Sequence, residues 1–242
     1  MKASASDQRS ILDIQKFDLQ SSTLRNKAAN LPEITEISSL TIKQNNARDL
    51  RIAAETELSD VKRELARAEG DVEQIVTRIE RDEKRLSSGT GTPKELEQTQ
   101  HELVTLGARR AELEEVELEI MMRVDGIKER ITALSGQENQ LALEIADLNI
   151  RKENALAAIH TELEGIDVDR KATTQSVSAE FLALYEKIRE ANNGIGAAAL
   201  AGNQCKGCNL TLNTIELQRI SGLAEDEVVR CEECRCILVR ER

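Results

Sequence analysis

The sequence predicts a mainly α-helical chain: a long antiparallel coiled-coil hairpin, with helices at about 7–86 and 93–190, followed by a small β-rich C-terminal module. Three observations predict it. The 242 residues are 32% charged yet hold only two Phe, one Tyr, no Trp and two Pro, a composition that suits long helices better than an aromatic-rich globule. Apolar residues recur at spacings of three and four on both sides of one strong turn cluster, Ser87-Ser88-Gly89-Thr90-Gly91. Finally, two Cys-x-x-Cys pairs, at Cys205/Cys208 and Cys231/Cys234, occupy the C-terminal region.

The first helix is interrupted at Leu31-Pro32, because proline lacks a backbone donor and crowds the preceding turn; a kink or break near Pro32 is expected. The tip falls at 87–92. Thr92, Pro93 and Glu95 then read as a capping box, with proline at the first helical position. No proline follows, so the second helix is expected to run unbroken to about Glu190, where Asn192-Asn193-Gly194-Ile195-Gly196 ends it. The predicted domains are a hairpin over 1–191, a Gly/Ala-rich connector and first strand over 192–202, and a cysteine module over 203–242.

The seams of the two helices can be read independently. Leu58, Val61, Leu65, Ala68, Val72, Ile75, Ile79 and Asp82 form one; Leu96, Thr99, Leu103, Leu106, Arg110, Leu113, Glu117 and Ile120 form the other. Paired around the tip at an index sum of 178, they set Leu58 against Ile120, Val61 against Glu117 and Leu65 against Leu113. Asn45-Asn46 and Gly136, all weak helix formers, mark an expected soft point.

Cys205-Lys206-Gly207-Cys208 and Cys231-Glu232-Glu233-Cys234 have the spacing of two knuckles that close a tetrahedral Zn2+ site. Four thiolates leave no open coordination position, so the expected ion is structural and catalysis is not expected. A strand near Ala197–Ala201, a helix over Thr214–Ile220 capped by Asn213, and a final hairpin of Glu227–Arg230 with Ile237–Arg240 complete a zinc ribbon. Lys206, Arg230 and Arg235 flank the thiolates and are expected to offset their charge. Cys236, the fifth cysteine, reads first as a small hydrophobe on a strand; an alternate ligand and a redox-sensitive free thiol are the other readings.

The net charge of −11 belongs to the helices: residues 1–202 hold 27 Lys+Arg against 37 Asp+Glu, and residues 203–242 hold 6 against 7. That balance disfavours duplex binding through a broad basic face and points first to a protein partner. Nucleic-acid binding is the alternative, through Lys206, Arg219, Arg230, Arg235, Arg240 and Arg242, although the module lacks aromatic rings for base stacking. No apolar run is long enough for a membrane span or a signal peptide, so a cytoplasmic protein with reduced thiols is expected. His101 and His160 read as surface residues, and Phe181 with Tyr185, four apart, as packing for the N-terminal segment or the ribbon.

The run Gly91-Thr92-Pro93-Lys94-Glu95-Leu96, the segment Tyr185-Glu186-Lys187-Ile188, and the cysteine motifs, the second preceded by Val228-Val229-Arg230, resemble the bacterial C4-type zinc-ribbon family with an N-terminal coiled-coil hairpin, in its actinobacterial branch. The resemblance implies a non-catalytic adaptor or chaperone for macromolecular partners in transcription, flagellar or secretion systems, with RNA binding proposed for some members. One departure is Arg235-Cys236, where the family commonly has Gly-Arg; a side chain there is expected to strain the knuckle slightly.

Overall fold

The computed structural model describes residues 1–240; Arg242, one of the basic residues singled out above, lies outside the described residues. The chain folds as two compact units, Thr35–Leu148 and the combination of Met1–Ile34 with Asn149–Arg242. Among the described residues, five helices and four strands succeed one another as α1 (Ala5–Ala29), α2 (Pro32–Ser87), α3 (Pro93–Thr174), α4 (Ala179–Ala191), β1 (Ala197–Ala201), β2 (Gln204–Cys205), α5 (Thr214–Ser221), β3 (Val229–Arg230) and β4 (Ile237–Arg240).

Helix ends follow their local chemistry. Ser4 opens α1 by accepting the Asp7 N–H at 3.0 Å. The break at Leu31-Pro32 is complete: Asn30 closes α1 and Pro32 takes the first position of α2, where a missing N–H costs nothing. At the tip the capping box forms reciprocally, with the Thr92 N–H donating to Glu95 Oε2 at 2.7 Å and the Glu95 N–H to Thr92 Oγ1 at 3.4 Å.

The expectation of one helix from 93 to 190 is corrected. α3 stops at Thr174, and Gln175–Ser178 separates it from α4. The run Thr173-Thr174-Gln175-Ser176-Val177-Ser178 is rich in β-branched and hydroxyl side chains, which favour turns and caps over helix interiors. Val177 is buried in the core at the break, and the Ser178 N–H donates to Asp7 Oδ2 of α1 at 3.2 Å, so tertiary contacts reward the interruption.

Within the Thr35–Leu148 unit, α2 and α3 form the long antiparallel hairpin, and both stay helical through Asn45-Asn46 and Gly136. Around Leu58–Leu65, however, their register differs from the predicted one. At an index sum of 178, Glu64 and Arg123 would lie about nine residues, or about 13 Å, apart along the axis. Instead Arg123 Nη1 donates to Glu64 Oε2 at 3.1 Å, and Arg130 pairs with Glu57. At this level a slide of one heptad reconciles them, since Leu58, Val61 and Leu65 share their cluster with Ile127, Val124 and Ile120; nearer the tip Arg78 pairs with Glu102, at the flanking position that the predicted register gives. Such a slide leaves every seam position a seam position, so apolar periodicity is blind to it. Val61 against Val124 in place of Glu117, and two acid–arginine pairs across the flank, distinguish the two registers.

In the other unit, α1 and α4 pack on a four-stranded sheet of order β2-β1-β4-β3, in which β1 runs parallel to β4 and the other pairs are antiparallel. Ile11 and Ile14 of α1, Phe181 and Tyr185 of α4, and Ala197, Ile237 and Val239 of the sheet share one core. The two aromatics therefore do join the N-terminal segment to the strand region. The final hairpin is shorter than expected on its first side, where Val229–Arg230 replaces Glu227–Arg230. The N-terminus fills that gap: the Ala3 N–H donates to the Asp226 carbonyl at 2.8 Å and the Val228 N–H to the Met1 carbonyl at 3.2 Å.

Candidate metal centre

The two Cys-x-x-Cys segments fold as matching knuckles. In the first, the Asn209 N–H donates to the Cys205 carbonyl at 2.8 Å and the Cys205 N–H to the Leu210 carbonyl at 3.0 Å; in the second, Arg235 N–H to Cys231 carbonyl is 3.0 Å and Cys231 N–H to Cys236 carbonyl is 2.9 Å. The residue after each second cysteine turns left-handed, Asn209 at φ 60° and Arg235 at φ 59°. Asparagine tolerates that conformation; arginine bears the strain of a side chain at positive φ.

The knuckles bring Cys205, Cys208, Cys231 and Cys234 together, with all four sulfurs within 4.8 Å of one another. Sγ–Sγ distances are 3.9 Å for Cys205–Cys234 and 4.0 Å for Cys208–Cys231. Four thiolates about 2.3 Å from a tetrahedral Zn2+ would stand about 3.8 Å apart, so the donor set and its size fit that ion. Burial pushes the Cys234 thiol up to about 12. A cation at the centre reverses that preference, since it binds only the deprotonated sulfurs.

Cys236 is a fifth sulfur in the same cluster. Fully buried, its Sγ lies 3.3 Å from Cys234 Sγ and 3.7 Å from Cys205 Sγ. Gly207 makes the room: a Cβ there would come within 3.2 Å of that sulfur.

The basic residues are disposed less simply than their sequence positions suggest. Lys206 Nζ donates to Gln204 Oε1 at 2.7 Å, and Arg230 Nε to the Arg235 carbonyl at 3.0 Å. Arg219 forks onto Glu216 at 2.6 and 2.5 Å. Arg240 donates to the carbonyls of Ile220, Leu223, Ala224, Glu225 and Glu227 at 2.7–3.2 Å, clasping the turn that follows α5. A hydrogen bond to sulfur comes from the Gly207 N–H, 3.4 Å from Cys205 Sγ. As expected, α5 is capped by Asn213, whose Oδ1 accepts the Glu216 N–H at 2.7 Å.

Gln15 is the residue that the sequence did not advertise. Buried in α1, its Oε1 accepts the N–H of Gly196 at 2.6 Å and of Ala197 at 3.1 Å, while Nε2 donates to the Gly194 carbonyl at 2.9 Å. This amide fixes the turn that leads from α4 into β1. Gly196 has to be glycine, because a Cβ would sit 2.5 Å from the Tyr185 ring. Tyr185 in turn donates to Asp18 at 2.7 Å, and Asp18 is held by Arg170 at 2.8 Å. A glutamine on an amphipathic helix carries no signal of such a role.

Among the described residues, no helix is long and apolar enough to cross a membrane. His160 is exposed and pairs with Glu164 at 3.2 Å on its own helix, and His101 is exposed.

Comparisons with known proteins agree with this architecture. The uncharacterized protein Rv2229c of Mycobacterium tuberculosis is 35% identical over 244 residues, spanning 99% of this chain and 98% of that one. A solved structure from Mycobacterium smegmatis covers 100% of both chains with 30% identity and a TM-score of 0.86. CT398 from Chlamydia trachomatis, at 17% identity, shares the fold with a TM-score of 0.69 over 97% of this chain and 98% of that one. Residues 14–193 match the model of the CT398-like coiled coil hairpin domain. The chain belongs to that coiled-coil hairpin family.

Proposed function

We propose that the protein is a non-catalytic adaptor in which Cys205, Cys208, Cys231 and Cys234 hold one structural Zn2+ and the helical hairpin presents a protein-binding face. The observation that carries this reading is the cysteine tetrad. Four sulfurs at tetrahedral spacing saturate the ion, which supplies folding energy and has no vacant position for a reactant. Zinc thus takes the place of the larger apolar core that so small a module lacks.

The hairpin supports a protein partner. Along α3, Val104, Leu118 and Met122 are 73%, 59% and 75% exposed. They fall on the helix face away from the seam, at positions separated by whole heptads or single turns, where a solvated helix would carry polar groups. Exposed methionine adapts well to an apolar partner. Arg219 and Arg240 direct guanidinium donors to groups within the module, and Arg230 its Nε–H, which favours a protein partner over a nucleic-acid one.

The test is in-cell crosslinking mass spectrometry on the wild type and on a Leu118→Glu/Met122→Glu variant, with nucleic acid recovered in parallel. The expected result is a protein crosslink set that the double variant loses. Equal crosslinks from both, or recovery of nucleic acid in their place, would defeat the adaptor reading.

A further inference from the structure

Of the five cysteines, four account for a tetrahedral site and one is left over. Cys236 is no ordinary core filler, because its sulfur touches two of the proposed ligands and the second knuckle holds it there. Its carbonyl accepts the Cys231 N–H at 2.9 Å, and Arg235 between it and Cys234 is in the left-handed region at φ 59°. That turn folds the sulfurs of Cys234 and Cys236 to 3.3 Å, on the same side of the chain. Residues two apart on an extended strand have side chains on one face but backbones too distant for such an approach. Leu210, at the equivalent place in the first knuckle, is 50% exposed, whereas Cys236 is fully buried against the tetrad.

We propose that Cys236 is a resolving thiol, and that the pair Cys234–Cys236 makes the metal centre a peroxide-responsive switch. This inference rests on the four-thiolate reading above. Cys234 is partly exposed, unlike Cys205 and Cys231. Its thiolate attacks one oxygen of a hydroperoxide; the O–O bond breaks, giving Cys234 sulfenic acid and, with hydrogen peroxide as oxidant, a hydroxide that takes a proton from solvent to become one water. The Cys236 sulfur then attacks the sulfenic sulfur. The S–O bond breaks, an S–S bond forms, and the departing hydroxide takes the Cys236 proton as a second water. A thiolate and a thiol are oxidised to one disulfide, one peroxide is reduced to two waters, and one proton is drawn from solvent. The ion is left with three ligands and a weakened hold on the second knuckle. The two sulfurs have to close from 3.3 Å to about 2.05 Å. Cys208, the other partly exposed cysteine, has a fellow ligand, Cys231, at 4.0 Å and no spare sulfur.

The test uses the full-length, metal-loaded protein with hydrogen peroxide. Metal release is followed with a chromophoric chelator, cysteine states by peptide mass mapping, and recovery by thiol reductant plus Zn2+. Wild type is expected to release metal, to carry a Cys234–Cys236 disulfide, and to recover metal on reduction. Cys236→Ala and Cys236→Ser retain the four ligands and are expected to match the wild type in resting metal content. After peroxide their Cys234 should progress to sulfinic acid, which thiols do not reverse, so recovery is lost. Two variants guard against a packing defect in either one. A disulfide that excludes Cys236, or variants that recover as fully as the wild type, would overturn the inference and leave the metal site standing. An untreated wild type that is compact and metal-free would instead overturn the four-thiolate reading beneath it.

Discussion

Replacing Gln15 by Leu removes the amide that fixes the turn into β1, and the structure sets the size of the effect. Two backbone donors, the N–H groups of Gly196 and Ala197, lose their acceptor in a place where water has no ready access, since Gln15 is 4% and Ala197 2% exposed. An unsatisfied buried donor costs about 1–3 kcal/mol, so the pair costs about 2–6 kcal/mol. Tyr185 keeps its bond to Asp18 and does not add to this. Native-state hydrogen exchange of the Gly196 and Ala197 amides reads the loss directly. At about 1.4 kcal/mol per decade, the lower bound is an acceleration of about thirtyfold. Gln20→Leu, on the exposed face of the same helix, should leave these amides unchanged. An acceleration under about fivefold in the Gln15 variant, or an equal one in the Gln20 control, would refute the argument that this side chain holds the turn.

Three further outcomes are expected. Arg235→Gly should stabilise the metal-loaded module by about 1 kcal/mol, because glycine relieves the left-handed backbone while its carbonyl still accepts from Arg230; denaturant midpoints at constant m-value check it. In the hairpin, Leu58→Cys should form a disulfide with Ile127→Cys and not with Ile120→Cys under mild oxidation, and the reverse result would restore the unshifted register. The Glu95 carboxyl is held below its ordinary pKa chiefly by the Thr92 N–H, so its contribution to the start of α3 is full above the unfolded-state pKa and is lost as pH falls through the lowered folded value. Carboxyl NMR should show that depressed midpoint, and Thr92→Ala, which removes the hydroxyl but keeps the N–H, should raise it part of the way.

Much of this molecule is legible in the sequence because it is written in local signals. The tip, the capping box at Thr92, the cap at Asn213, the break before Pro32 and the paired Cys-x-x-Cys knuckles each depend on residues within a turn of one another. What escaped depends on partners far along the chain. The break at 175–178 requires Asp7 and the α1 core to reward it, and helix propensities alone favour either outcome only weakly. The heptad slide is invisible to periodicity and is decided by pairs such as Glu64–Arg123, whose partners lie 59 residues apart. Likewise β2, only two residues long, and the docking of Met1–Ala3 beside β3 have no pattern of their own. The four cysteines that come together were readable by spacing, but the approach of Cys236 to Cys234 follows from the left-handed turn at Arg235, a conformation that arginine does not announce.

The central claim is that a divalent ion held by four sulfurs keeps residues 195–240 folded. Native mass spectrometry with elemental analysis, combined with hydrogen exchange before and after chelation, tests it most directly. One Zn2+ per chain should be found, and its removal should abolish protection in β1, β2, α5, β3 and β4 while the amides of α2 and α3 between Thr35 and Leu148 keep theirs. A chain purified without metal that shows full protection across those strands would contradict it.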